Sequence, residues 1–174
     1  MPGVHLRLVT PDNEAECLRL RVDDSQARFI ATNAKSLAQA KANPLLVPLA
    51  IYDREACGYL KPGVPMVGFV MYEVDCGVGS ILRIMIDRAH QGKGYGRAAM
   101  IQVIRRLQRY PEVEMIVTSH RHDNAVAASL FRSLGFVPWD VREAAELNPG
   151  EVHLRLPDSV WIVKERVMDK EIVE

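Results

Sequence analysis

The sequence has few cysteines, no excess of charge and no long apolar run. Its three cysteines (Cys17, Cys57, Cys76) are widely spaced, which argues against disulfides and metal-ligand spacing and predicts free thiols in a reducing compartment. Basic and acidic residues number 22 each, so net charge gives no support for nucleic acid or a membrane as partner. No apolar run approaches the ~18–20 residues that span a bilayer, and the first residues lack a signal-peptide core. We therefore expect a soluble, cytoplasmic protein without a metal.

Length and patterning predict one mixed α/β domain. The 174 residues, 48% apolar and 25% charged, suffice for a substantial core and one domain with a short appendage. Apolar periodicity and the positions of glycine and proline predict helices at residues 13–21, 24–31, 36–42 (N-cap Ser36), 94–109 and 124–134, and strands at 4–9, 45–52, 66–74, 80–86, 113–119, 136–141 and 151–156. We expect the domain to cover residues 1–157, with an amphipathic extension at 158–174.

A glycine-rich loop lies between a predicted strand and a predicted helix. Gly92, Gly94 and Gly96 occupy alternate positions there. Glycines let the backbone approach a ligand closely, and a helix start adds free N–H groups and a positive dipole end. A P-loop is excluded because Tyr95 follows Gly94, and the dinucleotide fingerprint is excluded because its third glycine falls one residue later. The remaining spacing, Gln91-x-x-Gly-x-Gly, predicts a cradle for a diphosphate.

A second block runs from Asn124 to Phe136. It has an N-cap candidate in Asn124, an amphipathic helix that contains Phe131, and a helix stop at Gly135. The two blocks, in this order, resemble the pyrophosphate-binding loop and the later Asn-x-x-Ala-x-x-Leu-Tyr/Phe-x-x-x-Gly-Phe motif of the GNAT acetyltransferases.

The resemblance implies a fold and a cofactor. We expect a central, mostly antiparallel sheet of six to seven strands, flanked by helices and splayed where acetyl-CoA binds. The resemblance implies transfer of acetyl to a primary amine by direct attack in a ternary complex, without a covalent intermediate. The residues that it assigns to acetyl-CoA are Ile84, Met85, Ile86, Gln91, Gly92, Lys93, Gly94, Tyr95, Gly96, Arg97, Asn124 and Phe131.

The catalytic groups are less well defined than the cofactor site. The family geometry that the resemblance implies makes Glu73 the candidate base, with Asp75 beside it. Strand alternation puts both carboxylates on one face at the end of a predicted strand. Many members of the family have a tyrosine, able to protonate the leaving thiolate, where this chain has Phe131, so we assign no catalytic acid. His120 and His122 precede the helix and could substitute as the proton donor, but we interpret them as surface residues of a turn.

The N-terminal half resembles the helical cap of bacterial spermine/spermidine acetyltransferase-like proteins. The resemblance implies an acceptor that is a polyamine or related small amine, and it assigns to the acceptor Gln26, Phe29, Asn33, Tyr72, Glu73 and Asp75. Amines of proteins, peptides, amino acids and aminoglycosides remain open. A non-catalytic sensor or assembly module that binds acetyl-CoA is an alternative from another class. We also expect a homodimer, as is frequent in the family.

Overall fold

The computed structural model describes residues 2–54, 63–140 and 149–160 of the chain. Its elements in chain order are β1 (Val4–Leu8), α1 (Glu14–Arg19), a 3-10 helix (Asp24–Phe29), α2 (Asn33–Ala42), β2 (Leu46–Asp53), β3 (Met66–Asp75), β4 (Val78–Ile86), a 3-10 turn (Arg88–His90), α3 (Tyr95–Leu107), β5 (Met115–Arg121), α4 (Ala125–Ser133), β6 (Val137–Pro138), β7 (Glu151–Arg155) and a last 3-10 turn (Asp158–Val160).

The strands form one seven-stranded sheet in the order β1-β2-β3-β4-β5-β7-β6. β1 to β4 form an antiparallel meander, in which a tight turn with positive φ at Cys76 and Gly77 joins β3 to β4. β5 runs parallel to β4, because the connection through α3 is long enough for a crossover. β7 pairs antiparallel with β5 and β6. The predicted mixed α/β fold with a mostly antiparallel sheet is confirmed.

Helices cover both faces of the sheet, and each face has its own apolar core. On one face α3 buries Leu107 in a cluster that includes Tyr72. On the other face α2 contributes Leu37 to a cluster that includes Met71. Because both faces are covered, β3 is buried continuously from Met66 to Tyr72, without the alternation of a half-exposed strand.

Two predicted helices differ from the structure at their starts or in their type. α2 begins at Asn33, because the hydroxyl of Thr32 caps it by accepting the N–H of Lys35; Ser36, the predicted N-cap, is buried within the helix. The segment predicted as a helix at residues 24–31 is a 3-10 helix, and a capping box stabilises its start. The side chain of Asp23 accepts the backbone N–H of the third helical residue, Gln26, and the side chain of Gln26 accepts the backbone N–H of Asp23.

The last strands are shorter than predicted. Among the described residues the strand expected at 136–141 comprises only Val137–Pro138, where the proline lacks an N–H for a ladder. Cys57, residue 141, most of the predicted loop at 58–65 and residues 161–174 of the predicted extension lie outside the described residues. No described helix has the length and apolarity that a membrane span requires.

Candidate active site

The sheet divides between β4 and β5. Parallel pairing of these strands ends at the pair Ile81 and Thr118. Directly afterwards β4 carries a β-bulge at Leu82, since the pairing with Met71 and Tyr72 of β3 skips that residue. A bulge bends the strand that carries it and is frequent beside active sites. Beyond Ile81, the edge of β4 therefore has no described strand beside it, and a gap separates it from β5.

The side chain of Thr118 closes the apex of this gap. Its hydroxyl donates a hydrogen bond of 2.9 Å to the carbonyl oxygen of Ile81, where the ladder stops. The residue is buried, with 6% of its surface exposed. This bond satisfies a backbone acceptor that the diverging strands leave behind, so it stabilises the point of divergence.

The glycine loop follows β4 and leads directly into α3. Gly92 and Gly94 have φ of 74° and 86°, the left-handed region that favours glycine. Gly94 is the N-cap of α3 and offers no side-chain cap, so the first N–H groups of the helix are not capped from within. These groups and the positive end of the helix dipole make an anion site.

The side chain of Gln91 holds this loop against the structure around it. Its amide Nε2 donates to the carbonyl oxygen of Ile86 at 3.0 Å and to Oε1 of Gln26 at 2.7 Å. The loop is also tied to the N-terminal region through Asp87, whose Oδ2 accepts the N–H of Arg21 at 2.9 Å. Gln91 thus positions the loop, as well as lining the cleft beside it.

A cleft of about 550 Å³ runs from the gap in the sheet to the glycine loop and the start of α4. All but one of the residues predicted for the cofactor line this cleft. Those that line it are Ile84, Met85, Ile86, Gln91, Gly92, Gly94, Tyr95, Gly96, Arg97, Asn124 and Phe131. The exception is Lys93, an exposed residue whose Nζ donates to the carbonyl oxygen of Ala89 at 3.1 Å. Sequence and structure therefore bring the same backbone segment to one cleft.

The cleft fits a ligand that lies against bare backbone. A Cβ added at Gly96 would lie 3.6 Å from Cγ1 of Ile86 and 3.8 Å from Cδ2 of Leu130, which are ordinary contacts. The protein itself therefore does not require glycine there. Glycine at this position leaves the backbone of the first turn of α3 open to a ligand.

The start of α4 forms the opposite wall of the cleft. Asn124 caps the helix, its Oδ1 accepting the N–H of Ala127 at 3.1 Å. Phe131 is 3% exposed, between His120 and Phe136 at centroid distances of 6.1 Å and 5.8 Å. At this position of the cleft wall the chain therefore has an aromatic ring without a hydroxyl, which cannot donate a proton.

The two candidate histidines are bonded to the backbone. Nδ1 of His120 lies 2.8 Å from the carbonyl oxygen of Arg121, and the ring lines the cleft. His122 is exposed, with Nδ1 at 3.2 Å from the carbonyl oxygen of Gly150. Of the two, only His120 borders the cleft.

The residues predicted for the acceptor are not brought together. Gln26 and Phe29 line the same cleft as the glycine loop. Asn33 is buried, and its Nδ2 donates to the carbonyl oxygen of Cys17 at 2.9 Å, a contact that joins α2 to α1. Tyr72 is fully buried on the α3 face, where its hydroxyl lies 3.0 Å from that of Tyr110. Asn33 and Tyr72 therefore make packing contacts, and neither is among the residues that line the cleft or the second cavity.

The two predicted carboxylates lie near a cavity without lining it. Glu73 pairs with Ser80, which lines a second cavity described below, so its side chain is on the same face. Asp75 is exposed beside the turn between β3 and β4. Neither carboxylate is among the residues that line the cleft or the second cavity.

The second cavity, of about 670 Å³, lies on the α2 face of the sheet. It shares five lining residues with the cleft at the gap between the strands, Ile81, Leu82, Arg83, Thr118 and Ser119. Its other polar or aromatic lining residues are Gln39, Asn43, Ser80, Trp139, Glu151 and His153. The two spaces meet at the gap, so a group held in the cleft and a group held in the cavity can approach each other there.

Several polar groups of this second cavity lack a partner or have only one. Oε1 of Gln39 and Nε2 of His153 are buried without a hydrogen-bond partner. Oε2 of Glu151 accepts the hydroxyl of Ser119 at 2.8 Å. Burial lowers the pKa of Arg83 below its usual range, because water is partly excluded from its charge. The sequence analysis missed these residues, apart from placing Glu151 at the start of a strand.

Within the part of the chain that the structure describes, neither metal ligands nor reactive thiols mark the site. No group of three or more His, Cys, Asp or Glu that could hold a metal occurs among the described residues. Burial raises the pKa of the Cys17 thiol to about 12, and Cys76 is exposed in the turn after β3. Neither of these two thiols lines the cleft or the second cavity.

The sequence is similar to those of known acetyltransferases. The family model described as "Acetyltransferase (GNAT) family" matches residues 16–136. The spermine/spermidine N(1)-acetyltransferase of Bacillus subtilis (strain 168) is 28% identical over 137 residues, which cover 77% of this chain and 88% of that protein.

Two solved structures share the fold at low sequence identity. The ribosomal-protein-S18-alanine N-acetyltransferase from Escherichia coli superposes with a TM-score of 0.64 at 17% identity, covering 94% of this chain and 98% of that one. An N-acetyltransferase from Thermoplasma acidophilum, solved in complex with coenzyme A, gives a TM-score of 0.63 at 9% identity, covering 88% and 98%. At such identities the likeness concerns the fold alone.

Proposed function

The chain belongs to the GNAT acetyltransferase family, and from that premise we propose that it transfers acetyl from acetyl-CoA to a primary amine of a small molecule by direct attack in a ternary complex. The observation that carries the proposal is the meeting of two spaces at the gap between β4 and β5. One space has the glycine loop and a helix start, and the other is lined by polar side chains. A donor and an acceptor held in these spaces meet at the gap.

The cleft residues would hold the donor mainly through backbone. Gly92, Gly94 and Gly96 leave the first N–H groups of α3 open to a diphosphate, and the unpaired edge of β4 from Ile84 to Ile86 faces the cleft. Asn124 at the start of α4 offers its remaining amide group. Bound acetyl-CoA supplies an activated acetyl thioester. Preorganised backbone donors near its carbonyl contribute ~3–4 kcal/mol in sites of this kind.

The acceptor nitrogen must lose a proton before or during attack. A bond forms between that nitrogen and the acetyl carbon, the carbon–sulfur bond breaks, and the thiolate takes a proton from water. Phe131 cannot supply this proton, and coenzyme A is a tolerable leaving group because free thiols have a pKa near ~8.5. Glu73, on the α2 face and outside the lining residues, would accept the amine's proton through water.

The test combines binding with turnover. Calorimetry with acetyl-CoA comes first, followed by acetyl-CoA-dependent release of free thiol across a panel of amines. Spermine and spermidine head the panel because the B. subtilis relative is named for them. We expect binding, together with thiol release that depends on at least one amine. Absence of acetyl-CoA binding would remove the basis of the proposal.

A second candidate function is a sensor that binds acetyl-CoA without transferring its acetyl group. Phe131 favours this alternative, because it places a ring without a hydroxyl in the cleft wall. Binding of acetyl-CoA without turnover of any amine in the panel would support the sensor. We also propose a homodimer, on the family resemblance alone, and a cytoplasmic location, on the cysteine usage of the sequence. Analytical ultracentrifugation tests the subunit count.

A further inference from the structure

Opposite charges flank the gap in the second cavity. Arg83 lies on β4 and pairs with Met71, a residue of the α2 face that also lines the cavity. Glu151 lies on β7, with its carboxylate bonded to Ser119 of β5. One wall of the gap therefore carries a cation and the other a carboxylate.

Arg83 is partly buried and has no hydrogen bond or ion pair with any described residue. Other arginines are engaged, such as Arg97, whose Nη1 donates to the carbonyl and hydroxyl oxygens of Ser133. A cation that loses water without gaining a partner costs free energy, and burial lowers its pKa accordingly. Its planar fork of donors matches a carboxylate in two parallel hydrogen bonds.

The opposite wall can accept hydrogen bonds from an amine. Only Oε2 of Glu151 is bonded to Ser119, so the charge of the carboxylate and its second oxygen remain for a ligand. Oε1 of Gln39 is a further acceptor, buried in the cavity wall without a partner. Such acceptors suit the hydrogens of one amino group.

A polyamine does not match this pair of charges. Spermidine carries an ammonium at each end, and one of them would face the unpaired guanidinium. Among the described residues that line the cavity, Glu151 is the carboxylate and Arg83 the side chain with a permanent positive charge, and these two charges cancel. Like charges repel each other, so a second ammonium beside Arg83 is disfavoured where a carboxylate is favoured.

We propose that the second cavity binds an acceptor with one primary amine and one carboxylate, the amine directed to Glu151 and the carboxylate to Arg83. The inference rests on the proposed acetyl transfer and specifies its substrate class as an amino acid or a related ω-amino carboxylate. Arg83 is then the residue that selects a carboxylate over a second ammonium.

Three acceptors with the same N–C–C–C–C skeleton test the proposal. They are 4-aminobutyrate, n-butylamine and putrescine, which end in a carboxylate, a methyl group and an aminomethyl group. The best distance between the amine and the carboxylate is set by the cavity. ω-Amino carboxylates from glycine to 6-aminohexanoate are therefore measured too, each against the neutral amine and the diamine with the same number of carbons. We expect kcat/KM for the best carboxylate to exceed that of its neutral partner roughly 10- to 100-fold, the value of a charged hydrogen-bonded pair, with the diamine lowest.

Variants of Arg83 sharpen the test. Arg83→Gln is expected to remove the preference for the carboxylate, measured within the variant as the ratio of kcat/KM for the carboxylate to kcat/KM for the neutral amine, and Arg83→Glu is expected to reverse it in favour of the diamine. Arg105→Gln is the matched control, since Arg105 is exposed on α3, on the other face of the sheet. Melting temperature and acetyl-CoA affinity establish that each variant folds and keeps its donor site.

The outcomes separate this inference from the acetyl transfer itself. Turnover of butylamine or a polyamine at least as fast as of any carboxylate leaves the transfer standing and overturns the inference. A loss of acetyl-CoA affinity in Arg83→Gln as large as its loss of kcat/KM also overturns it, because Arg83 would then bind the donor. If no amine is turned over, calorimetry measures the binding of the amino carboxylates to the CoA-bound protein. The inference is refuted if none of them binds, or if Arg83→Gln binds them as tightly as the unsubstituted protein does.

Discussion

Substitution of Gly96 by alanine should change stability and donor affinity in opposite directions. Gly96 lies in the first turn of α3, outside the left-handed region, and an added Cβ would meet Ile86 and Leu130 at 3.6 Å and 3.8 Å. No described atom of the protein therefore needs to move. Alanine loses less conformational entropy than glycine when a helix forms.

The stability of the free protein should rise. Replacement of a helical glycine by alanine contributes about 0.5–1 kcal/mol where the site accepts a methyl group. For a chain of 174 residues, a gain of this size raises the melting temperature by ~1–4 °C.

The affinity for acetyl-CoA should fall. The methyl group would lie where a diphosphate approaches the N–H groups at the start of α3, and one hydrogen bond to a charged oxygen is worth ~1.5–3 kcal/mol. Loss of one such bond weakens binding roughly 10- to 100-fold. If Gly96 had only a structural role, its substitution by alanine would not make the protein more stable and at the same time weaken its binding of acetyl-CoA.

The assay is thermal unfolding of the free protein together with calorimetry of acetyl-CoA binding. Ser129→Ala is the control, because Ser129 is an exposed residue of α4 outside the cleft lining and the change also raises helix propensity. The control should gain a few tenths of a kcal/mol and keep its affinity. Unchanged affinity in Gly96→Ala would refute a diphosphate cradle at the start of α3.

Three further predictions concern the gap, the missing acid and the buried thiol. Thr118→Val should lower the free energy of unfolding by ~1–3 kcal/mol, because the carbonyl of Ile81 loses its partner; urea unfolding measures this, and Thr118→Ser, which keeps the hydroxyl, should lose less. Phe131→Tyr should raise kcat up to ~10–100-fold by supplying a proton donor; pre-steady-state thiol release measures it, and an unchanged rate would mean that proton delivery does not limit turnover. Cys17 has a folded pKa of about 12 against an unfolded value of 9.0, so its contribution to stability is complete below pH 9 and is lost as the pH rises toward 12; urea unfolding at several pH values should show a smaller decline in Cys17→Ala, and equal declines would contradict the assignment.

The lining of the cleft could largely be predicted from the sequence because most of its parts are neighbours in the chain. The end of β4, the glycines and the first turn of α3 fall within residues 81–97, and backbone dihedral angles and free N–H groups are local properties. Asn124 was likewise predicted correctly as a cap, since capping depends on residues three positions apart. Lys93 was the exception, since a spacing motif does not say which way an exposed side chain points.

The second cavity, which we propose for the acceptor, depends on the tertiary structure. Glu73 and Asp75 were placed by strand alternation, which assigned a shared face but could not give their distance from the gap. That distance depends on the register of β3 with β4 and on the bulge at Leu82.

What the sequence determined by itself is therefore the backbone conformation of the glycine loop and of the start of α3, which short-range dihedral preferences impose. The cavity beside it is assembled from α2, β4, β5 and β7, which bring Gln39, Arg83, Ser119 and Glu151 together from distant parts of the chain. The spacing of these residues in the sequence does not indicate that they lie together. The cavity exists because β7 pairs with β5 and because β4 bends away from β5 where the parallel pairing of these two strands ends.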